Sequence, residues 1–257
     1  MQDRGSSVPL PALAGMLAAL TFVAPVALAL DGETLIRQGA ATPVTIDAAT
    51  SGLPIKLNRR GRYKLASNIV VPSTNRPNAP RCGIEITSVD VELDLNGFAL
   101  LGENGQAAVG ICIRADSATV TNGTISGFGN AISGIDKTDL APNGPSYVRI
   151  ENNRIVKNAL GIRLSGKAHV IKANTISDTG VIGIDCGSGC AVTGNVVMDS
   201  TRNGIQMHSG LAVGNYISGH KIGLACSGSC GYSQNTFAGN GANVDGASAA
   251  AMNPNAL

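Results

Sequence analysis

Five asparagines constrain the fold of this chain more than any other feature. Asn153 (ENNRI), Asn174 (KANTI), Asn195 (TGNVV), Asn215 (VGNYI) and Asn235 (SQNTF) recur at intervals of 21, 21, 20 and 20 residues. Each is followed two positions later by an apolar residue: Ile155, Ile176, Val197, Ile217 or Phe237. A second series keeps step with the first. Gly161-Ile162, Gly183-Ile184, Gly204-Ile205 and Gly223-Leu224 are spaced 22, 21 and 19 residues apart, about eight residues after each Asn. Two series with one period require a repeating unit of about 21 residues. The unit has no helical patterning, and the LxxLxLxxN pattern of leucine-rich repeats is missing.

The remaining solution is one coil of a right-handed parallel β-helix, whose short strands pair with the coils above and below. Within GIRL, Ile162 and Leu164 point inward and Arg163 outward, as a period of two demands. The recurrent Asn belongs at a turn, because it tolerates left-handed backbone. Stacked amides can also hydrogen-bond along the stack as a ladder. We therefore read Asn153, Asn174, Asn195, Asn215 and Asn235 as structural, and the sequon-like Asn122-Gly123-Thr124 as a further rung. Composition agrees: Gly reaches 33 residues, aromatics only 3%, and Trp is absent, which suits many tight turns around small stacked side chains.

Residues 10–29, LPALAGMLAALTFVAPVALA, form an apolar run that ends in a small-x-small pattern. This predicts a signal peptide over 1–29, cleaved after Ala29, with a retained anchor or an uncleaved start as the alternative, and no membrane span after cleavage. The expected organisation is a signal peptide (1–29), an N-terminal cap (30–60), a β-helix of about eight or nine coils (61–240) and a C-terminal tail (241–257). DKTDLAPNGPS (136–146) fills the 31-residue gap between Asn122 and Asn153 as a loop. At about 4.8 Å per coil the stack is roughly 40 Å long.

GRYKLASNIVVP (61–72), GIEITSVDVELDLNGFALLG (83–102) and TVTNGTISGFG (119–129), followed by the Asn and GI coils, resemble exported bacterial right-handed β-helix repeat proteins of the pectate-lyase-like superfold. The resemblance spans about 31–240 and implies the fold. It implies no reaction, because that superfold hosts polysaccharide lyases, hydrolases, epimerases and passive surface proteins alike.

A uronan lyase needs a group that neutralises the substrate carboxylate and a base for the C5 proton. Aligning coils on their Asn places Asp178 and Asp199 at equivalent positions, a candidate Ca²⁺ pair. No other cofactor is expected. Arg163, Asp185 and Gln206 form an outward column at the third position of successive GI units, with Arg163 and Asp185 the catalytic candidates. The bland readings are a turn Asp that accepts backbone bonds and a surface ion pair. The Asn-Thr-Asp, paired Asp-Asp and Gly-His-Gly motifs of polygalacturonases are missing. His169, His208 and His220 fall at different phases and read as surface turn residues. Basic residues cluster at 56–64 and 149–172, surfaces suited either to an anionic polymer or simply to solvation. A net charge of +2 and no recognisable nucleic-acid-binding signature argue against nucleic acid.

Cysteines recur as CGSGC (186–190) and CSGSC (226–230), two coils apart. Loops about 10 Å apart cannot converge on one tetrahedral zinc, so each is read as a local clip, Cys186–Cys190 and Cys226–Cys230, with metal or free thiols as alternatives. Cys82 and Cys112, in neighbouring coils, are candidates for a third bond. Disulfides favour an exported chain, in the periplasm or at the cell surface. Two functions follow: a non-catalytic β-helix that binds or displays, with acidic polysaccharide or envelope glycan as partner, or a lyase acting on an acidic polysaccharide.

Overall fold

The computed structural model describes residues 32–38, 45–47, 52–73, 81–103, 107–134, 144–246 and 249–251. The export run with Ala29, most of the 136–146 loop and residues 252–257 lie outside the described residues. All described strands fall into three parallel sheets of nine, eleven and eight strands, here sheets I, II and III. The chain visits them in the order I, II, III. One coil comprises Leu160–Lys167 in sheet I, Val170–Lys172 in sheet II and Thr175–Ser177 in sheet III. The next, Ile182–Ser188, Cys190–Thr193 and Val196–Met198, stacks on it strand for strand. The eight strands of sheet III correspond to eight complete coils.

Both ends extend the stack. Glu33–Arg37 and Thr45–Asp47 join sheet II, and Ile55–Leu57 begins sheet I, so strands from the stretch expected as a cap lie in register with the coils. Ala242–Asp245 and Ala249–Ala251 continue sheets I and II beyond the eighth coil.

The interior is built of identical columns. Ile162, Ile184, Ile205 and Leu224 stack in sheet I; Ile150, Ile171, Val192 and Ala212 in sheet II; Ile155, Ile176, Val197 and Ile217 in sheet III. All twelve are buried, each large aliphatic member contributing about 1.5–3 kcal/mol. β-branched side chains suit this stacking, because one stiff rotamer packs repeatedly against its copy.

The five asparagines form the ladder the sequence predicts, inside the corner between sheets II and III. Asn174 is typical. Its Oδ1 accepts from the Asn153 backbone N–H at 3.0 Å, and its Nδ2 donates to the Ile150 carbonyl at 2.8 Å and to Asn195 Oδ1 at 3.0 Å. One detail differs. The left-handed residue is the one before each ladder position: Asn152, Ala173, Gly194, Gly214 and Gln234, with φ of 54–65°. Asn122 is therefore no rung. It takes the left-handed place itself (φ 61°) and is exposed, while Gly123 fills the rung and donates its N–H to Asn153 Oδ1 at 3.3 Å.

All six cysteines are paired, as Cys82–Cys112, Cys186–Cys190 and Cys226–Cys230, with Cα separations of 5.9, 6.4 and 6.1 Å. Every one is buried. The two short clips close the corner between sheets I and II from the inside. Cys186 and Cys226 lie in the inward column with Leu164 and Met207, and Cys190 and Cys230 flank Gly210.

Candidate functional site

One outward column runs the length of sheet I. Lys56, Glu85, Cys112, Ser133, Arg163, Asp185, Gln206, Ala225 and Asp245 stand in register from coil to coil. In its middle, two outward positions per coil shape a hollow of about 200 Å³, lined by Arg163, Asp185 and Gln206 and, two residues further on, by Ser165, Gly187, His208 and Ser227.

The polar groups of the hollow are linked. Arg163 Nε lies 3.3 Å from Asp185 Oδ2, Gln206 Nε2 donates to Asp185 Oδ1 at 3.4 Å, and Asn203 Nδ2 donates to Gln206 Oε1 at 2.7 Å. His208 Nδ1 and Ser227 Oγ are 3.2 Å apart. Burial pushes the Asp185 carboxyl above its ordinary value; Arg163 and Gln206 pull it back without cancelling that effect. The sequence alignment brings Arg163, Asp185 and Gln206 together, and the structure adds His208 and Ser227. Their signal lies in GIRLS, GIDCG, GIQMH and GLACS, whose fifth letters are the second outward position.

This stacked wall and the 21-residue period have a counterpart among known families. Residues 78–253 match the family described as the right handed beta helix region. The chain belongs to that family. No curated protein and no solved structure matches it.

On this right-handed β-helix the remaining candidates lie apart from the hollow. Asp178 and Asp199 occupy the same exposed turn in adjacent coils, at the corner between sheets III and I, with φ of 52° and 56°. Ser177 Oγ donates to Asp178 Oδ2 at 3.4 Å, and the Asp199 carboxylate leans over Gly219. A Ca²⁺ ion takes six to eight oxygens. Among the described residues no three His, Cys, Asp or Glu side chains group together, so this pair offers only part of such a shell.

Two of the three histidines are not on the surface. His220 is buried in a second ladder that the sequence does not reveal, inside the corner between sheets III and I. Asn158, Thr179, Ser200, His220 and Asn240 each follow a ladder Asn by five residues. Thr179 and Ser200 share a hydroxyl bond, Ser200 N–H donates to His220 Nδ1 at 3.1 Å, and His220 N–H donates to Asn240 Oδ1 at 3.0 Å. His169 is wholly buried beneath the corner between sheets I and II, where its Nδ1 accepts from Val148 N–H at 3.3 Å and its Nε2 has no hydrogen-bond partner among the described residues. Burial holds its pKa below the ordinary 6.5. His208 alone is exposed.

Part of each basic cluster is ion-paired. Arg62 pairs with Glu92 at 3.0 Å, Lys64 with Glu33 and Asp94 at 3.7 Å each, and Arg149 with Glu151 at 2.6 Å. Exposed pairs of this kind contribute at most about 1 kcal/mol each, and among the described residues no acid pairs with Arg154 or Lys157 of the second cluster.

Proposed function

We propose that this β-helix is an exported, non-catalytic protein of the periplasm or cell surface, and that it binds an envelope or acidic glycan against sheet I. The observation that carries this reading is the Arg163–Asp185–Gln206 chain within the hollow. Side chains already fixed by one another present donors and acceptors to sugar hydroxyls with little further ordering cost. Glycoside hydrolysis on two carboxyls needs a pair about 5–9.5 Å apart. Of the residues lining the hollow, Asp185 is the single carboxyl, and Arg163 engages it. Three disulfides support export, since such bonds persist in oxidising compartments.

A uronan lyase is the second reading, favoured by one observation: the Arg163 guanidinium and the His208 imidazole line the same hollow, a cation for the uronate carboxylate and a base for C5. The test of binding is calorimetric titration of the purified chain with neutral and acidic oligosaccharides. The first reading expects saturable binding that Gln206→Ala weakens roughly tenfold, the loss of a hydrogen-bonded group in a fixed network. Unchanged affinity in Gln206→Ala and Arg163→Ala together would remove sheet I as the binding face.

A further inference from the structure

A different face offers what the sheet I hollow lacks, a cation without a carboxylate partner. The outer surface of sheet III carries one column in register from coil to coil: Thr124, Arg154, Thr175, Val196, Tyr216 and Thr236. Arg154 is exposed, and among the described residues no acid pairs with it. It lines a broad depression of about 520 Å³ together with Asn122, Asn152, Thr124 and Thr175. Asn122 and Asn152 reach this place because they occupy the exposed left-handed turns before the ladder. Three coils along the same column Tyr216 is 39% exposed, one of the few large apolar side chains left to solvent.

We propose that this column is a binding strip for an acidic oligosaccharide, with a carboxylate on Arg154 and a sugar ring stacked on Tyr216. The guanidinium presents a planar fork of donors that matches a carboxylate. The hydroxyls of Thr124 and Thr175, one coil to either side, and the amides beside them suit the hydroxyls of the same sugar. Val196 and Tyr216 then offer an apolar surface to the C–H face of a later ring, where a phenol ring gives large contact area at low entropy cost. Arg154 and Tyr216 are three coils apart, about 14 Å at the usual strand spacing, so one ligand must span several sugar units to touch both. A monosaccharide does not. The proposal is independent of the hollow on sheet I, because the two faces share no residue.

The test is titration of the purified full chain with a uronic acid tetrasaccharide, its monosaccharide, a sulfated tetrasaccharide and a neutral tetrasaccharide. Arg154→Ala, Tyr216→Ala and Arg163→Ala are compared with the parent protein. All three positions are at least partly exposed, and circular dichroism checks that each variant folds. The uronic tetrasaccharide is expected to bind with an affinity that falls as salt rises. Arg154→Ala should lower that affinity about tenfold and flatten its salt dependence, Tyr216→Ala should lower it about fivefold, and both losses should persist when the same changes are made in an Arg163→Ala background that removes the sheet I site. The monosaccharide should bind far more weakly. Equal binding of the neutral and uronic tetrasaccharides, a preference for the sulfated one, no binding of any ligand, or affinity lost only in Arg163→Ala would each overturn the proposal.

Discussion

Replacing Asn174 by alanine tests the asparagine ladder at one of its most buried rungs. The carboxamide is 1% exposed and engages two neighbouring coils. Its Nδ2 donates to the carbonyls of Ile150 and Lys172 at 2.8 and 3.1 Å and to Asn195 Oδ1 at 3.0 Å. Its Oδ1 accepts from the backbone N–H and the Nδ2 of Asn153 at 3.0 and 3.2 Å. Truncation spares Asn195 Oδ1, which keeps the Asn174 backbone N–H at 2.9 Å. It orphans the Asn153 N–H in the dry corner and takes one of two donors from the Ile150 carbonyl, which keeps its ladder bond to strand Val170–Lys172. At about 1–3 kcal/mol for the buried unpaired N–H and about 1 kcal/mol for the weakened carbonyl, the loss is about 3 kcal/mol. Asn235, at the end of the ladder and only partly buried, gives the internal comparison. Its alanine variant takes one donor from the Ala212 carbonyl and frees the Asn215 N–H, where water can replace the lost partner, so about 1–2 kcal/mol is expected. The assay is guanidinium unfolding followed by far-ultraviolet circular dichroism. Losses below 1 kcal/mol at Asn174, or equal losses at the two sites, would refute the ladder as a load shared between coils.

Three further outcomes follow from particular contacts. Gly210 has φ 128°, and a Cβ there would press into the backbone of Cys190, so Gly210→Ala should cost about 3 kcal/mol or more by thermal melting. Removing the Cys82–Cys112 bond, which closes a span of 30 residues, should cost about 3.5 kcal/mol, against about 2 kcal/mol for Cys186–Cys190 with its span of four; equal denaturation losses in the two paired serine variants would contradict that order. His169 is held neutral by burial, so the unfolded chain takes up a proton near pH 6.5 that the native state resists. Stability should therefore be full above that value and fall as pH drops below it, and His169→Leu should flatten this part of the stability–pH curve.

The solenoid was legible because its rungs are chemically uniform. Asn recurs at one corner and Gly-Ile at another, and no alternative fold satisfies both series. The second ladder was hidden because Asn158, Thr179, Ser200, His220 and Asn240 do the same work with different side chains, so no letter repeats. Asn122 misled for a related reason. In TNGTI the Asn stands three residues before the buried Ile125, whereas in ENNRI the ladder Asn stands two before Ile155. Counting back from the buried position assigns Gly123 to the rung. The hollow was only half legible: the column through Arg163, Asp185 and Gln206 follows from the period, but the joining of His208 to it depends on the second outward position of each coil. Charge pairing was legible only where the period aligned it, at Arg163–Asp185; Arg62–Glu92 and Lys64–Glu33 link residues about 30 apart in the less regular coils and were not.

The central functional claim is a wall that holds glycan without cutting it. Its most direct test is a time course of purified protein with a panel of uronans, with and without Ca²⁺, followed by the absorbance of unsaturated products. The account predicts no product from any uronan, while the same preparation still binds acidic oligosaccharide. Steady accumulation of unsaturated product that disappears in Arg163→Ala and His208→Ala would contradict it and establish the hollow on sheet I as a lyase site.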